Sequence, residues 1–186
     1  MPVTKSFVDA NYRFIAAYQE VNARIAQRQQ ALTLYVTLVV SLLAAMVALK
    51  PGDGAGHVPV EWLVPGFPVA SLCLALLNYR TERIITQLRH FLSTLERLDN
   101  AHEVLPSYNT DPRWAVNANR ARRYHDYAAA VLVVGGNGIG LGAALKIYPH
   151  RLAEAPLVLW GSGLVALISL VLLLAIPRWS YAPEHG

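Results

Sequence analysis

The sequence predicts an all-α, polytopic membrane protein in which four transmembrane helices carry long cytoplasmic helical extensions. Three observations predict it. Four uncharged runs, 29–49, 62–79, 127–145 and 155–177, hold 21, 18, 19 and 23 residues, against the roughly 20 that a helix needs to cross a bilayer. Basic residues are one-sided about those runs. Gly and Pro are absent from 3–50 and from 69–105, so nothing there forces a helix to stop.

Taken in order, a polar and aromatic arm leads into a first span over 29–49. The second span is expected over 58–79, with Pro65 and Pro68 either in its first turn or at a kink. A cytoplasmic helical loop follows over 80–126, then a third span over 127–146 and a fourth over 155–177, all in one domain of 186 residues. Within the loop, the stretch 106–112 holds two prolines and reads as a break. Thr110 or Asp111 caps the next helix and Pro112 forms its first turn. The outer connections, 50–61 and 147–154, are short enough to form no more than caps. The arm lacks the charged start and apolar stretch of a cleavable signal peptide.

Orientation follows from the Lys and Arg count. The arm, the loop and the carboxyl tail hold 13 of the 16 basic residues, and the two outer connections hold Lys50, Lys146 and Arg151. This imbalance places both termini and the loop in the cytoplasm, as in a bacterial-type inner membrane. The net charge of +4 is accounted for by that asymmetry, so nucleic acid is not an expected partner.

Two amphipathic stripes seek partners. Phe7, Phe14, Tyr18, Val21, Ile25 and Leu32 recur at helical steps along the arm. Ile84, Leu88, Phe91, Leu95 and Leu98 follow a four-three-four-three pattern in the loop, the signature of an oligomer or partner interface resembling a cytoplasmic coiled coil. Further on, Trp114, Arg120, Arg122 and Arg123 suggest a collar at the headgroups.

Inside the spans the informative residues are small or polar. Thr33, Thr37 and Ser41 fall four apart and draw a hydroxyl stripe, which either lines a water path or bonds its own backbone. Gly136 with Gly140, and Gly138 with Gly142, have the spacing that lets helices approach closely. Asn137, an amide in hydrocarbon, needs a partner from a neighbouring helix or from pore water.

Enzymatic readings find little support. Arg-to-His spacings of the kind used by HEPN-type ribonucleases occur at Arg83 and His90, Arg97 and His102, and Arg120 and His125; three instances in one arginine-rich loop show how cheap the pattern is. No catalytic residue, metal site or cofactor is expected: the six histidines are scattered and Cys73 stands alone. No Asp, Glu, His, Lys or Arg interrupts the four runs, which argues against an ion-coupled transporter.

The plan of a transmembrane hairpin followed by a long amphipathic cytoplasmic helix resembles small bacterial membrane effectors of the SLATT type. The likeness is one of layout and transfers no residues. The expected function is a homo-oligomer in the lipid bilayer acting as a passive pore or channel, of the kind a stress or defence effector uses. The alternative is a non-conducting accessory, scaffold or sensor subunit that docks a cytoplasmic protein partner.

Overall fold

The computed structural model describes residues 9–49 and 60–183. Phe7 of the arm stripe and the first two positions of the second expected span lie outside the described residues. Among the described residues every regular element is helical.

Helix α1, Ala10–Ala48, runs unbroken through arm and span, with the Asp9 carboxylate accepting from the Asn11 amide. Helix α2, Gly66–Glu96, follows a 3-10 turn at Val60–Leu63. Pro65 is its N-cap and Pro68 lies in its first turn, where amide hydrogens need no helical partner, so neither proline kinks it. The absence of breakers predicts a helix running on to Leu105, yet α2 ends at Glu96. Asp99 and Asn100 adopt φ of 54° and 58°, a left-handed conformation that these side chains tolerate better than most. A short helix α3, Ala101–Val104, follows.

Helix α4, Pro112–Ile147, starts where the sequence indicates, and Asp111 accepts from the Arg113 amide at 2.8 Å. The outer connection then forms a helix of its own, α5, Pro149–Glu154, which buries Leu152 and is more than the cap expected there. Helix α6, Pro156–Ala175, ends in a 3-10 turn at Ile176–Trp179.

The four long helices form a closed square in the order α1, α2, α6, α4. Their directions follow from cross-links at several levels. Arg28 meets Glu82, and Ser71 Oγ donates to the Tyr35 hydroxyl at 3.3 Å, so α2 runs antiparallel to α1. Arg28 also meets Asp126, and Tyr148 donates to the Met46 carbonyl at 2.7 Å, so α4 runs parallel to α1. Thr86 donates to the Trp179 carbonyl at 3.1 Å where α2 and α6 descend together. Two helical hairpins thus stand side by side with the same sense.

Three helices, α1, α4 and α6 with its 3-10 extension, are long and apolar enough to cross a membrane. The sequence suggests four, and α2 is the exception. Its uncharged helical portion, 66–79, rises only about 20 Å at ~1.5 Å per residue, and the 18-residue apolar run reaches full length only by including the turn before it.

The outer surface of the bundle is apolar: Leu34, Leu38, Val131, Val134, Leu164, Leu167 and Val171 are all exposed. Its interior mixes Phe67, Met46, Val64, Leu74 and Val133 with the polar Ser71, Asn78, Asn137, Ser162 and Ser169, all buried. A water-soluble fold has the opposite distribution. Aromatic side chains mark two levels, with Tyr79, Tyr127 and Trp179 at one end and Trp62, Tyr148 and Trp160 at the other. The helical rise from Tyr127 to Tyr148 is about 31 Å, which matches the ~30 Å hydrocarbon thickness of a bilayer.

Candidate functional site

At the end of the apolar zone marked by Tyr79, Tyr127 and Trp179, the described residues contain a buried charge cluster contributed by three helices. Arg28 stands immediately before the first uncharged run, Asp126 immediately before the third, and Glu82 just beyond the second. Helical geometry brings them to one level. Arg28, Glu82 and Asp126 are 4%, 1% and 2% exposed, too enclosed for charges that lacked partners. Arg28 divides its guanidinium between the two carboxylates, donating to Glu82 Oε2 at 3.1 Å and to Asp126 Oδ1.

A second arginine joins from α4. Arg122 donates to Glu82 Oε1 at 3.4 Å and to Asn119 Oδ1. Arg89 of α2, also buried, completes the network through neutral acceptors: Asn109 Oδ1 at 3.1 Å, Asn119 Oδ1 at 3.2 Å and the Tyr108 carbonyl at 2.9 Å. Its guanidinium lies over the Tyr181 ring, 4.9 Å from the centroid. Asn119 in turn donates to the Tyr181 carbonyl at 2.7 Å, and the Tyr181 hydroxyl donates to the Asn109 carbonyl at 2.6 Å. The tail that follows α6 is thereby tied to the same knot.

Burial dominates the electrostatics. Desolvation, reinforced by Arg122, lowers the Arg89 pKa to about 10. Arg28 and Arg122 are lowered for the same first reason, and Glu82 opposes it in both. His125, one residue before Asp126, is held below its usual 6.5 by burial and then by the Arg28 charge, and its Nε2 is enclosed without a partner. Within the five charged groups, three guanidiniums face two carboxylates. The arrangement can clamp helices together and hold one excess positive charge, but it presents no nucleophile beside a base.

The residues singled out from the sequence are dispersed. Thr33, Thr37 and Ser41 are exposed on the outer face of α1, and each donates to the backbone carbonyl four residues earlier, at 3.2, 3.0 and 2.8 Å. Asn137 is buried and donates to Ser71 Oγ at 2.7 Å and to the Val133 carbonyl at 2.8 Å. Gly136 and Gly140 sit at close approaches: a Cβ on Gly136 would lie 2.6 Å from the Tyr35 hydroxyl, and one on Gly140 2.7 Å from the Phe67 ring. Gly138 and Gly142 face open space.

In the loop stripe, Ile84, Leu88 and Leu95 are half-buried while Phe91 and Leu98 are exposed. The buried face of α2 is instead Glu82, Ile85, Arg89 and Leu92. Arg120 and Arg123 are exposed as a collar requires, whereas Arg122 turns inward to Glu82. Trp114 stacks edge-on against Tyr108 at 5.9 Å, and its thirteen-residue distance from Tyr127 sets it about 20 Å below the apolar zone.

Sequence reasoning missed Glu82, Asp126, Arg89 and Asn119. A usable signal existed, since Arg28, Glu82 and Asp126 each stand within three residues of an apolar run, at the ends that an antiparallel arrangement of spans brings to one level. No family model, curated protein or solved structure matches the chain.

Proposed function

We propose that the chain is an integral membrane protein whose four long helices all cross the bilayer, that it self-associates through the outer face of α1, and that copies together enclose a passive path. The observation that carries this reading is where the hydroxyl stripe lies. Thr33, Thr37 and Ser41 point away from the protomer, on a surface otherwise made of Leu34, Val36, Leu38 and Val40. The protomer's own interior is filled by Phe67, Met46, Val64 and Leu74, so a route for ions or water belongs between copies.

Small or uncharged polar side chains continue this face in both directions, with Ala26, Gln29 and Gln30 below it and Ala44 and Ala48 above it, all exposed. Faces of this kind let membrane helices pack closely. Uncharged polar groups suffice to line a passive path. The 13 to 3 distribution of basic residues supports placing both termini and the 80–126 loop in the cytoplasm. The second helix completes its crossing with the 3-10 turn and Trp62, which continue its column to the outer aromatic level.

The accessory or sensor reading has its own support, because each hydroxyl of the stripe is already satisfied by its backbone. Stoichiometry in lipid nanodiscs separates the two. A closed ring of several copies that releases ions from vesicles agrees with the proposal; a monomer that releases none leaves the accessory role.

A further inference from the structure

Between the arm of α1 and the cytoplasmic half of α2 lies a half-open groove of about 460 Å³, a volume suited to a small organic ligand. We propose that this groove binds a water-soluble amphiphilic anion, a carboxylate or phosphate on an apolar body, seated head-first on Arg89 and Arg122. Only the aqueous source of the ligand rests on the membrane placement above; the site itself does not require a pore.

The chemistry of the walls argues for such a ligand. Phe14, Tyr18 and Ile25 from the arm face Leu92 from α2, and Arg89 and Arg122 reach the same space. A guanidinium carries five N–H donors. Arg89 spends three of them, all on uncharged oxygens, so two remain and its charge has no carboxylate in hydrogen-bond contact. Arg122 shares Glu82 with Arg28. The two open Arg89 N–H groups, with no carboxylate bonded to them, can take an anion by charge-assisted bonds.

Glu96 also lines the groove, but both its oxygens accept bonds, from Ser107 Oγ and from Asn109 Nδ2 at 2.9 Å. Glu96 brings the formal charges around the groove into balance, but it bonds to neutral donors on the turn that forms one wall and leaves the two remaining Arg89 N–H groups open. Among the described residues nothing else covers the apolar arm face, since Tyr18 is 54% and Ile25 38% exposed. Arg122 lies about 8 Å and Arg89 about 15 Å beyond the apolar zone by helical rise, so the groove extends from the headgroup level into water and Arg89 marks its aqueous end.

Isothermal titration tests this, using the full chain in phosphatidylcholine nanodiscs with octyl phosphate as probe and 1-octanol and protein-free nanodiscs as controls. Octyl phosphate should bind saturably, one per chain, and at least tenfold more tightly than 1-octanol. Arg89→Gln should weaken it at least tenfold. Ile25→Trp, which fills the groove and leaves every charge in place, should weaken it as much, and keeps the test decisive where Arg89→Gln disturbs folding. Equal binding of octyl phosphate and 1-octanol, binding no greater than to empty nanodiscs, or undiminished affinity in Ile25→Trp would overturn the site. Replacing part of the phosphatidylcholine by phosphatidate should leave octyl phosphate affinity unchanged, whereas competition would place the source in the bilayer and overturn the aqueous assignment.

Discussion

At the residue scale, two asparagines in the interior invite opposite outcomes. Asn137 spends its amide hydrogens on Ser71 and Val133, and contacts of this kind contribute about 0.6–2 kcal/mol in a membrane protein. Asn137→Leu should therefore lower the thermal midpoint. Asn78, fully enclosed, has neither amide atom bonded, and an unpaired buried amide costs about 1–3 kcal/mol. Asn78→Leu, nearly the same shape, should raise the midpoint; a drop as large as that of Asn137→Leu would show that Asn78 has a partner such as an enclosed water. His125 supplies a pH dependence. Its folded pKa is lowered below 6.5, so the unfolded chain binds the proton first. Stability from this group is complete above about pH 6.5 and falls as pH drops from there toward the folded value. Melting curves from pH 7.5 to 5 should show that decline, and His125→Gln should flatten it.

At the element scale, the charge knot decides how α1, α2 and α4 stand together. Arg28→Met strands Asp126 and leaves Glu82 with Arg122 alone, and breaking a buried pair in this way costs about 3–5 kcal/mol. Adding Asp126→Leu should recover part of that loss, because it removes one stranded carboxylate; chemical unfolding in mild detergent reads both. The helix lengths were legible in the sequence where breakers were absent and a cap was present, as at Asp111 and Pro112. The end of α2 was not. Asp99 and Asn100 stop it through left-handed backbone, an option open to Asn and Asp that does not enforce itself as proline does. The inward face of α2 was hidden for a similar reason. Periodicity finds an apolar face at Ile84, Leu88 and Leu95, but the face that packs is one residue further round and includes Glu82 and Arg89, whose burial depends on partners distant in sequence.

For the whole molecule, an apolar exterior around a partly polar interior explains why hydropathy exposed the architecture so readily while the site stayed hidden. The spans announce themselves by composition; Arg28, Glu82 and Asp126 form a group only after three helices are set in register. Which way the hydroxyl stripe faces was equally invisible, because a helix's neighbours determine its lipid side. Thr37 now lies on the outer face of α1, at the centre of the surface on which the proposed path depends. The most direct test is therefore the current through planar bilayers of Thr37→Cys in a Cys73→Ala background, before and after a membrane-permeant or charged methanethiosulfonate reagent. The proposal predicts a steady passive current that falls when the charged reagent modifies position 37. Absence of current, or a current indifferent to complete modification there, would contradict it.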